Sequence, residues 1–405
     1  LVLGSAALVG KQGSDIVTLS TASAAGAFAD KNIGVGKTIT ISGLTISGTD
    51  AGNYTLTQPS TSATVLAKAI TVTGITANNR VYDATTSATA LLVKGSAALS
   101  GVETNDTVTL DHSAATATFA TKTVGNGKTV SIAGITISGI DANNYTLTQP
   151  TTSANITTKA LNVTGITANN RVYNASTSAT ALLVKTSAAL SGVESGDNVA
   201  LNHSAATAAF DDKNIGTGKN ISIAGITISG GDAGNYSLTQ PSTSADVTAK
   251  TITVTGITAN NRVYNASTSA TALLVKTSAA LSGVESGDNV TLNHSSATAT
   301  FANKNVGNNK AITIAGITIS GTDANNYSLT QPSTTANITA KALTVTGVTV
   351  DLKIFDNTTN ASVITTNAAV VGVESGDAAT LNTASVSGAF ADTVVANNKT
   401  VQISG

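Results

Sequence analysis

The sequence predicts an all-β chain: a tandem array of small antiparallel β-sandwiches, Ig-like in plan, with a repeat of 91 residues. Three observations predict it. Short stretches alternate apolar and polar residues with period two, clusters of Gly, Asn and Asp separate them, and the whole pattern returns at a fixed step. "ITANNRVYDA" at Ile75 to Ala84 comes back as "ITANNRVYNA" at Ile166 and Ile257, and in altered form as "VTVDLKIFDN" at Val348. Its aromatics, Tyr82, Tyr173, Tyr264 and Phe355, stand 91 apart, as do Pro59, Pro150, Pro241 and Pro332. Phe28, Phe119, Phe210 and Phe301 keep the step, and Phe390 follows after a two-residue deletion.

Starting each copy at Lys68, Lys159, Lys250 and Lys341 divides the chain into a partial repeat 1–67, full repeats 68–158, 159–249 and 250–340, and a partial repeat 341–405. "LVLGSAALVG" at Leu1 aligns with "LVKGSAALSG" at Leu92, inside the next copy, so the chain is expected to be a section of a longer array.

Within the copy 68–158 the elements follow in order. "ITANNRVYDA" reads as the end of a strand, a polar turn at Asn78-Asn79, and a strand carrying Tyr82 inward as a core aromatic of its unit. Phe355, which keeps the ring and drops the hydroxyl, agrees with that role. "ATALLVKGSAAL" is the one place where a short helix could sit. "DTVTLDH" puts Val108 and Leu110 on one strand face, "TVSIA" does so with Val130 and Ile132, and "NYTLTQP" with Tyr145 and Leu147. "TVGNGK" reads as a Gly-rich hairpin turn, its Lys128 solvated or paired. Asp141, like Asp50, Asp232 and Asp323, reads as holding its turn through an Asx hydrogen bond. This makes about seven short strands per copy. Three aromatics, Tyr82, Phe119 and Tyr145, anchor a thin core of Val, Ile, Leu and Ala, and neighbouring copies are expected to support one another. "SANITTKALNVTGIT" crosses the junction at Lys159 without Gly or Pro where a flexible linker would want them, which favours a short, stiff joint.

Composition excludes several functions. The 405 residues carry a formal net charge of -1, which gives no electrostatic reason for a nucleic-acid partner. No apolar run is long enough to insert in a membrane as a helix. With no Cys there are no disulfides or thiolate metal sites. "GVGKT" and "GNGKT" lack the glycine a phosphate loop needs five positions earlier, where Lys31 and Lys122 stand, and a strand pattern follows instead of a helix. His112, His203 and His294 recur, but Thr21 and Thr383 fill the place in the outer copies, so they read as polar strand residues. No nucleophile–base pair survives comparison of the copies. The reading is not an enzyme, with no catalytic, cofactor-binding or metal residue and no cofactor assigned.

Three further chemistries are weighed against bland readings. Calcium would draw on Glu103, Asp106, Asp141 and Asp111, but the charge thins between copies as Asp111 becomes Asn202 and Asn293, and no D-x-D-x-D-G loop appears. Asn-x-Ser/Thr triplets occur at Asn53, Asn144, Asn235, Asn326, Asn174 and Asn265, and composition alone produces many such triplets. A Lys–Asn isopeptide crosslink from Lys68 and its equivalents would need a buried carboxylate beside it, which the sequence does not indicate.

The pieces "RVYDATTSATA", "GVETNDTVTL", "FADKNIGVGKTITISGLTISGTDAGNYTLTQP" and "TKALNVTGIT" together resemble the YDG-type repeat of large bacterial surface exoproteins, the haemagglutinin-like and filamentous adhesins. The resemblance covers the whole chain. It departs at the naming glycine, which is Ala84, Ala175, Ala266 and Asn357 here, and Asp83 becomes Asn174 and Asn265. That argues against chemistry by the acidic side chain. The resemblance implies an extracellular or cell-surface array, exported through an outer-membrane transporter, with no catalytic site. The function expected is a structural stalk region of an adhesin or biofilm-matrix exoprotein that carries a binding tip. A self-assembling filament or surface-layer subunit and a glycan-binding module are the alternatives. The partners expected are other copies of itself, neighbouring repeats, or surface and matrix glycans.

Overall fold

A computed structural model describes all 405 residues. The chain is all-β, with no α-helix and seven single-turn 3-10 helices. The copy at 68–158 shows the plan. Its strands are β1 (Lys68–Thr73), β2 (Thr76–Ala77), β3 (Arg80–Val81), β4 (Leu92–Val93), β5 (Ala98–Ser100) and β6 (Thr109–Asp111). They are followed by β7 (Thr116–Phe119), β8 (Gly125–Ala133), β9 (Thr136–Ser138), β10 (Tyr145–Thr148) and β11 (Thr151–Thr157). That makes eleven where the sequence suggests about seven, because the turns cut β2, β3 and β4 to two residues each.

These strands pair only among themselves. One sheet has the order β5-β1-β10, another β7-β8-β11-β3, and β6-β9 and β2-β4 form two ribbons. Most ladders are antiparallel. Two are parallel, β10 on β1 with Tyr145 opposite Lys68, and β11 on β3 with Ile156 opposite Arg80. The same plan recurs from Lys159 and from Lys250.

The alternation seen in the sequence is the alternation of burial. On β8, Val130 and Ile132 are buried while Thr129 and Ser131 are exposed. Phe119, Tyr82 and Tyr145 are buried as expected. Gly74 ends β1 with a φ of +76°, and a Cβ there would collide with the Ser96 carbonyl oxygen, so no other residue fits.

Two local expectations are corrected. The "GNGK" stretch is not a hairpin turn. It lies within β8, where the register against β11 shifts between Gly125 and Lys128, a β-bulge that uses the left-handed Gly127. The place where a helix could sit holds a single 3-10 turn, Thr89–Leu91, which runs straight into β4.

The chain forms two compact units. The first comprises Leu1–Gly165, Thr186–Ala206 and Gly225–Pro241; the second comprises Ile166–Lys185, Thr207–Ala224 and Ser242–Gly405. The copy starting at Lys159 therefore contributes strands to both. Its sheet of Lys159–Thr164, Ala189–Ser191 and Tyr236–Thr239 belongs to the first unit. Its sheet of Arg171–Val172, Thr207–Phe210, Gly216–Ala224 and Ser242–Thr248 belongs to the second.

The core of the first unit does not stop at the end of a copy. Val72, Tyr82, Phe119, Val130 and Ile156 share one apolar cluster with Leu161 and Tyr236 of the following copy. In the second unit Val254, Ile257, Phe301, Ile312, Ile314 and Ile338 form the equivalent cluster. Only Thr158 separates β11 from the strand that begins at Lys159.

Candidate functional site

The side chains that sequence reading placed in separate roles converge where one copy meets the next. In the first unit the Tyr82 hydroxyl donates to Asp197 Oδ2 at 2.8 Å. Lys122 Nζ donates to Asp197 Oδ1 at 2.9 Å, and the Tyr236 hydroxyl donates to Oδ2 at 2.7 Å. Tyr82 and Tyr236 meet edge to face, 5.4 Å between centroids and 76° between planes. The Val124 amide donates to Asn235 Oδ1 at 2.9 Å, and the Tyr236 oxygen accepts from the Glu194 amide at 2.9 Å. Tyr82, Lys122 and Val124 come from one copy; Asp197, Asn235 and Tyr236 come from the next.

The second unit repeats the arrangement. Tyr173 donates to Asp288 at 2.8 Å, Lys213 at 2.6 Å and Tyr327 at 2.6 Å, with the Tyr173 and Tyr327 rings 5.4 Å apart at 77°. Near the N-terminus Lys31 pairs with Asp106 and Asp141, both at 2.6 Å, and near the C-terminus Lys304 and Tyr264 hold Asp377. One aspartate thus receives a forward-reaching lysine at each of four successive joints.

The electrostatics follow from burial. The Asp197 side chain has 0% exposure. Burial alone opposes its charge, but the hydrogen bonds from Tyr236, Lys122 and Tyr82 outweigh it and hold the carboxyl below its usual range. Asp288 behaves alike. The hydrogen bond to Asp197 raises Lys122. Burial, then the bond to Asp197, pushes the Tyr236 phenol up to about 12.

The burial of the leading aromatic depends on the copy that follows. Tyr82 is 1% exposed with Tyr236 and Asp197 of the next copy against it, and Tyr173 is 1% exposed with Tyr327 and Asp288 against it. Tyr82 is the buried core aromatic that the sequence indicates, in a core that extends beyond its own copy. The ring and the hydroxyl both reach into the next copy.

A family model described as the YDG domain matches five successive stretches, residues 2–63, 66–153, 157–245, 248–336 and 339–405. The chain belongs to the YDG domain family. Comparison with curated proteins returns no match. Among solved structures, Drosophila N-cadherin EC1-4 is similar at 8% identity and a TM-score of 0.23, covering 82% of this chain and 94% of that one. Domains 1-6 of the surface layer protein SbsC match at 14% identity and 0.15, covering 92% of this chain and 53% of that one. The N-terminal eight Ig domains of Down Syndrome Cell Adhesion Molecule match at 8% and 0.16, covering 91% and 58%. Likenesses of this size carry nothing further about the chain's role.

The remaining candidates fall into place within the YDG copies. Asp50, Asp141, Asp232 and Asp323 do not make Asx turns. Each precedes a 3-10 turn without capping it, and its carboxylate instead accepts the amide of Ile16, Thr107, Asn198 or Asn289, 34 residues earlier. Asx turns form elsewhere, as at Asp83 with Thr85 and Asp111 with Ser113.

The calcium candidates are dispersed. Asp106 and Asp141 share the Lys31 ammonium, Glu103 pairs with Lys68, and Asp111 holds Ser113. No three His, Asp or Glu converge in a way that could hold a metal. Lys68 and Glu103 are both about half-exposed, not the dry pocket an isopeptide bond requires. His112 lies in the turn after β6, where its carbonyl accepts from Lys94 Nζ at 3.0 Å. No helix is long and apolar enough to cross a membrane. Asn235 and Asn326, two of the Asn-x-Ser sites, are buried with their side chains engaged at the joints, whereas Asn174 is exposed.

Sequence reading passed over two groups. The guanidinium of Arg80 lies 4.8 Å from the centre of the Phe119 ring and donates to the Ser87 carbonyl at 2.6 Å; Arg171 and Arg262 sit likewise over Phe210 and Phe301. Gln149 acts as a substitute strand, accepting from the Ile135 amide at 3.1 Å and donating to its carbonyl at 2.8 Å. Both recur at the repeat step, which was the available signal. The naming glycine of the family also acquires a reason. Ala84, Ala175, Ala266 and Asn357 all have left-handed φ values, between 56° and 59°, where a side chain is strained.

Proposed function

We propose that this chain is the structural repeat region of a secreted or surface-attached bacterial adhesin or matrix exoprotein, a load-bearing spacer and not an enzyme. The observation that carries the reading is the joint. The same aspartate accepts a lysine from the preceding copy at four successive junctions, and the tyrosine pairs of two of them match to 1°. A spacer under tension needs each copy tied to the next, and the joint does so with side chains as well as the backbone. Membership of the YDG domain family supports it.

Single-molecule stretching of the 405-residue chain tests the reading. The proposal expects repeated force peaks with contour increments of roughly 30 nm, from about 3.4 Å per released residue over one repeat. A chain that extends without force peaks overturns it. Light scattering on the same sample decides against self-assembly if the mass is that of one chain, and replaces the spacer reading with a polymerising one if ordered assemblies form.

A further inference from the structure

The copies share one set of joint positions but not one joint chemistry. The face that reaches forward carries a tyrosine, Tyr82, Tyr173 or Tyr264. It also carries a tripeptide: Lys31-Asn32-Ile33, Lys122-Thr123-Val124, Lys213-Asn214-Ile215 or Lys304-Asn305-Val306. The fifth copy holds Phe355 and, after the two-residue deletion, Thr393-Val394-Val395 at these positions. The alignment is fixed by structure, since Lys399 bonds Asp392 as Lys310 bonds Asn303 and Lys219 bonds Asp212. The hydroxyl and the ammonium are both lost. So is the amide that at Asn32 and Asn214 accepts from Asn144 and Asn326 of the next copy.

What remains is apolar. Phe355, Val394 and Val395 line one groove with Val350 and Phe390. The four established joints show what sits against this face: a neighbour's acceptor position, occupied by Asp106, Asp197, Asp288 or Asp377. Seating such an aspartate on Phe355 and Thr393 would bury a carboxylate with neither of its cross-copy donors, which is strongly unfavourable. We infer that the forward face of the fifth copy is built for a neighbour of the same repeat fold whose acceptor position is uncharged. The Lys/Tyr faces couple to Asp-bearing copies, the Phe/Thr/Val face rejects them, and the order of copies is thereby set by side chains. This holds wherever the array is displayed.

The rule is testable at the joint of Asp197 in the full chain. Tyr82→Phe, Lys122→Thr and Thr123→Val together install the fifth copy's face opposite an aspartate. Asp197→Asn lowers the denaturation midpoint in the natural background and raises it in the triple variant. A lowered midpoint in both backgrounds, or a triple variant as stable as the parent, overturns the inference. If the triple variant does not fold at neutral pH, lowering the pH toward 4 protonates the unpaired Asp197 and restores folding. Failure to refold there, with the Asp197→Asn quadruple variant also unfolded, overturns it too.

Discussion

Tyr82 and Asp197 are 115 residues apart in sequence and 2.8 Å apart in space, hydroxyl to carboxylate, across the boundary between two copies. The ring fills the shared core and the hydroxyl meets a fully buried charge. Tyr82→Ala removes both and is expected to cost roughly 3–5 kcal/mol, the range for a buried aromatic. Tyr82→Phe keeps the ring and removes only the bond to a charged acceptor, a loss of about 1–3 kcal/mol. Chemical denaturation of the two variants separates the terms.

The joint makes stability fall at both ends of the pH scale. Asp197 and Asp288 have depressed pKa values when folded, so their contribution is present above the ordinary carboxylate value near 3.8 and is lost as pH falls below it. Tyr236 is raised from 10.0 to about 12, so its contribution is complete below pH 10 and disappears between 10 and about 12. Lys122, raised as well, loses its contribution on the same alkaline side. Midpoints measured across the range should form a plateau between these limits, and Asp197→Asn should flatten the acid limb.

Ala84 occupies a left-handed conformation with a φ of 59°. Such a residue carries roughly 1–2 kcal/mol of strain, while glycine there adds about 0.4–1 kcal/mol of unfolded-state entropy. Ala84→Gly is therefore expected to stabilise its copy by about 0.5–1 kcal/mol, and the same change at Ala175 and Ala266 to do likewise. A lowered melting temperature for the triple Gly variant would contradict this account of the site.

Arg80 ties the Phe119 face to the carbonyls of Thr85 and Ser87. The fifth copy uses Lys353 instead, bonded to Thr358 and Asn360. Arg80→Lys should thus retain part of the stability that Arg80→Ala loses, since lysine can reach a carbonyl but cannot stack a planar fork on the ring. Equal losses for the two variants would show that the guanidinium plane carries the whole effect.

Much of the fold was legible because period and alternation are local properties. Val130 and Ile132 declare an inward face wherever their strand lies, and Gly74 and Asn78 mark their turns. What the sequence hid was long-range. Nothing within a dozen residues of Asp106 or Asp141 shows that both carboxylates reach a lysine more than 70 residues away, so both read as calcium candidates and Asp141 as a turn-former besides. "GNGK" has the composition of a turn and the geometry of a bulge because β11, some 25 residues on, pairs across it. Phe355 misled for a similar reason. It agrees with a core-aromatic role for Tyr82, but the accompanying change from Lys to Thr393 shows that a whole face changed with it.

The central claim is that adjacent copies are coupled through side chains at the joint, and a double-mutant cycle between Tyr82→Phe and Asp197→Asn in the full chain tests it most directly. A real contact predicts an interaction energy within the range of roughly 0.5–3 kcal/mol seen for coupled residues. Additivity of the two changes to within about 0.3 kcal/mol, as for distant independent sites, would contradict it.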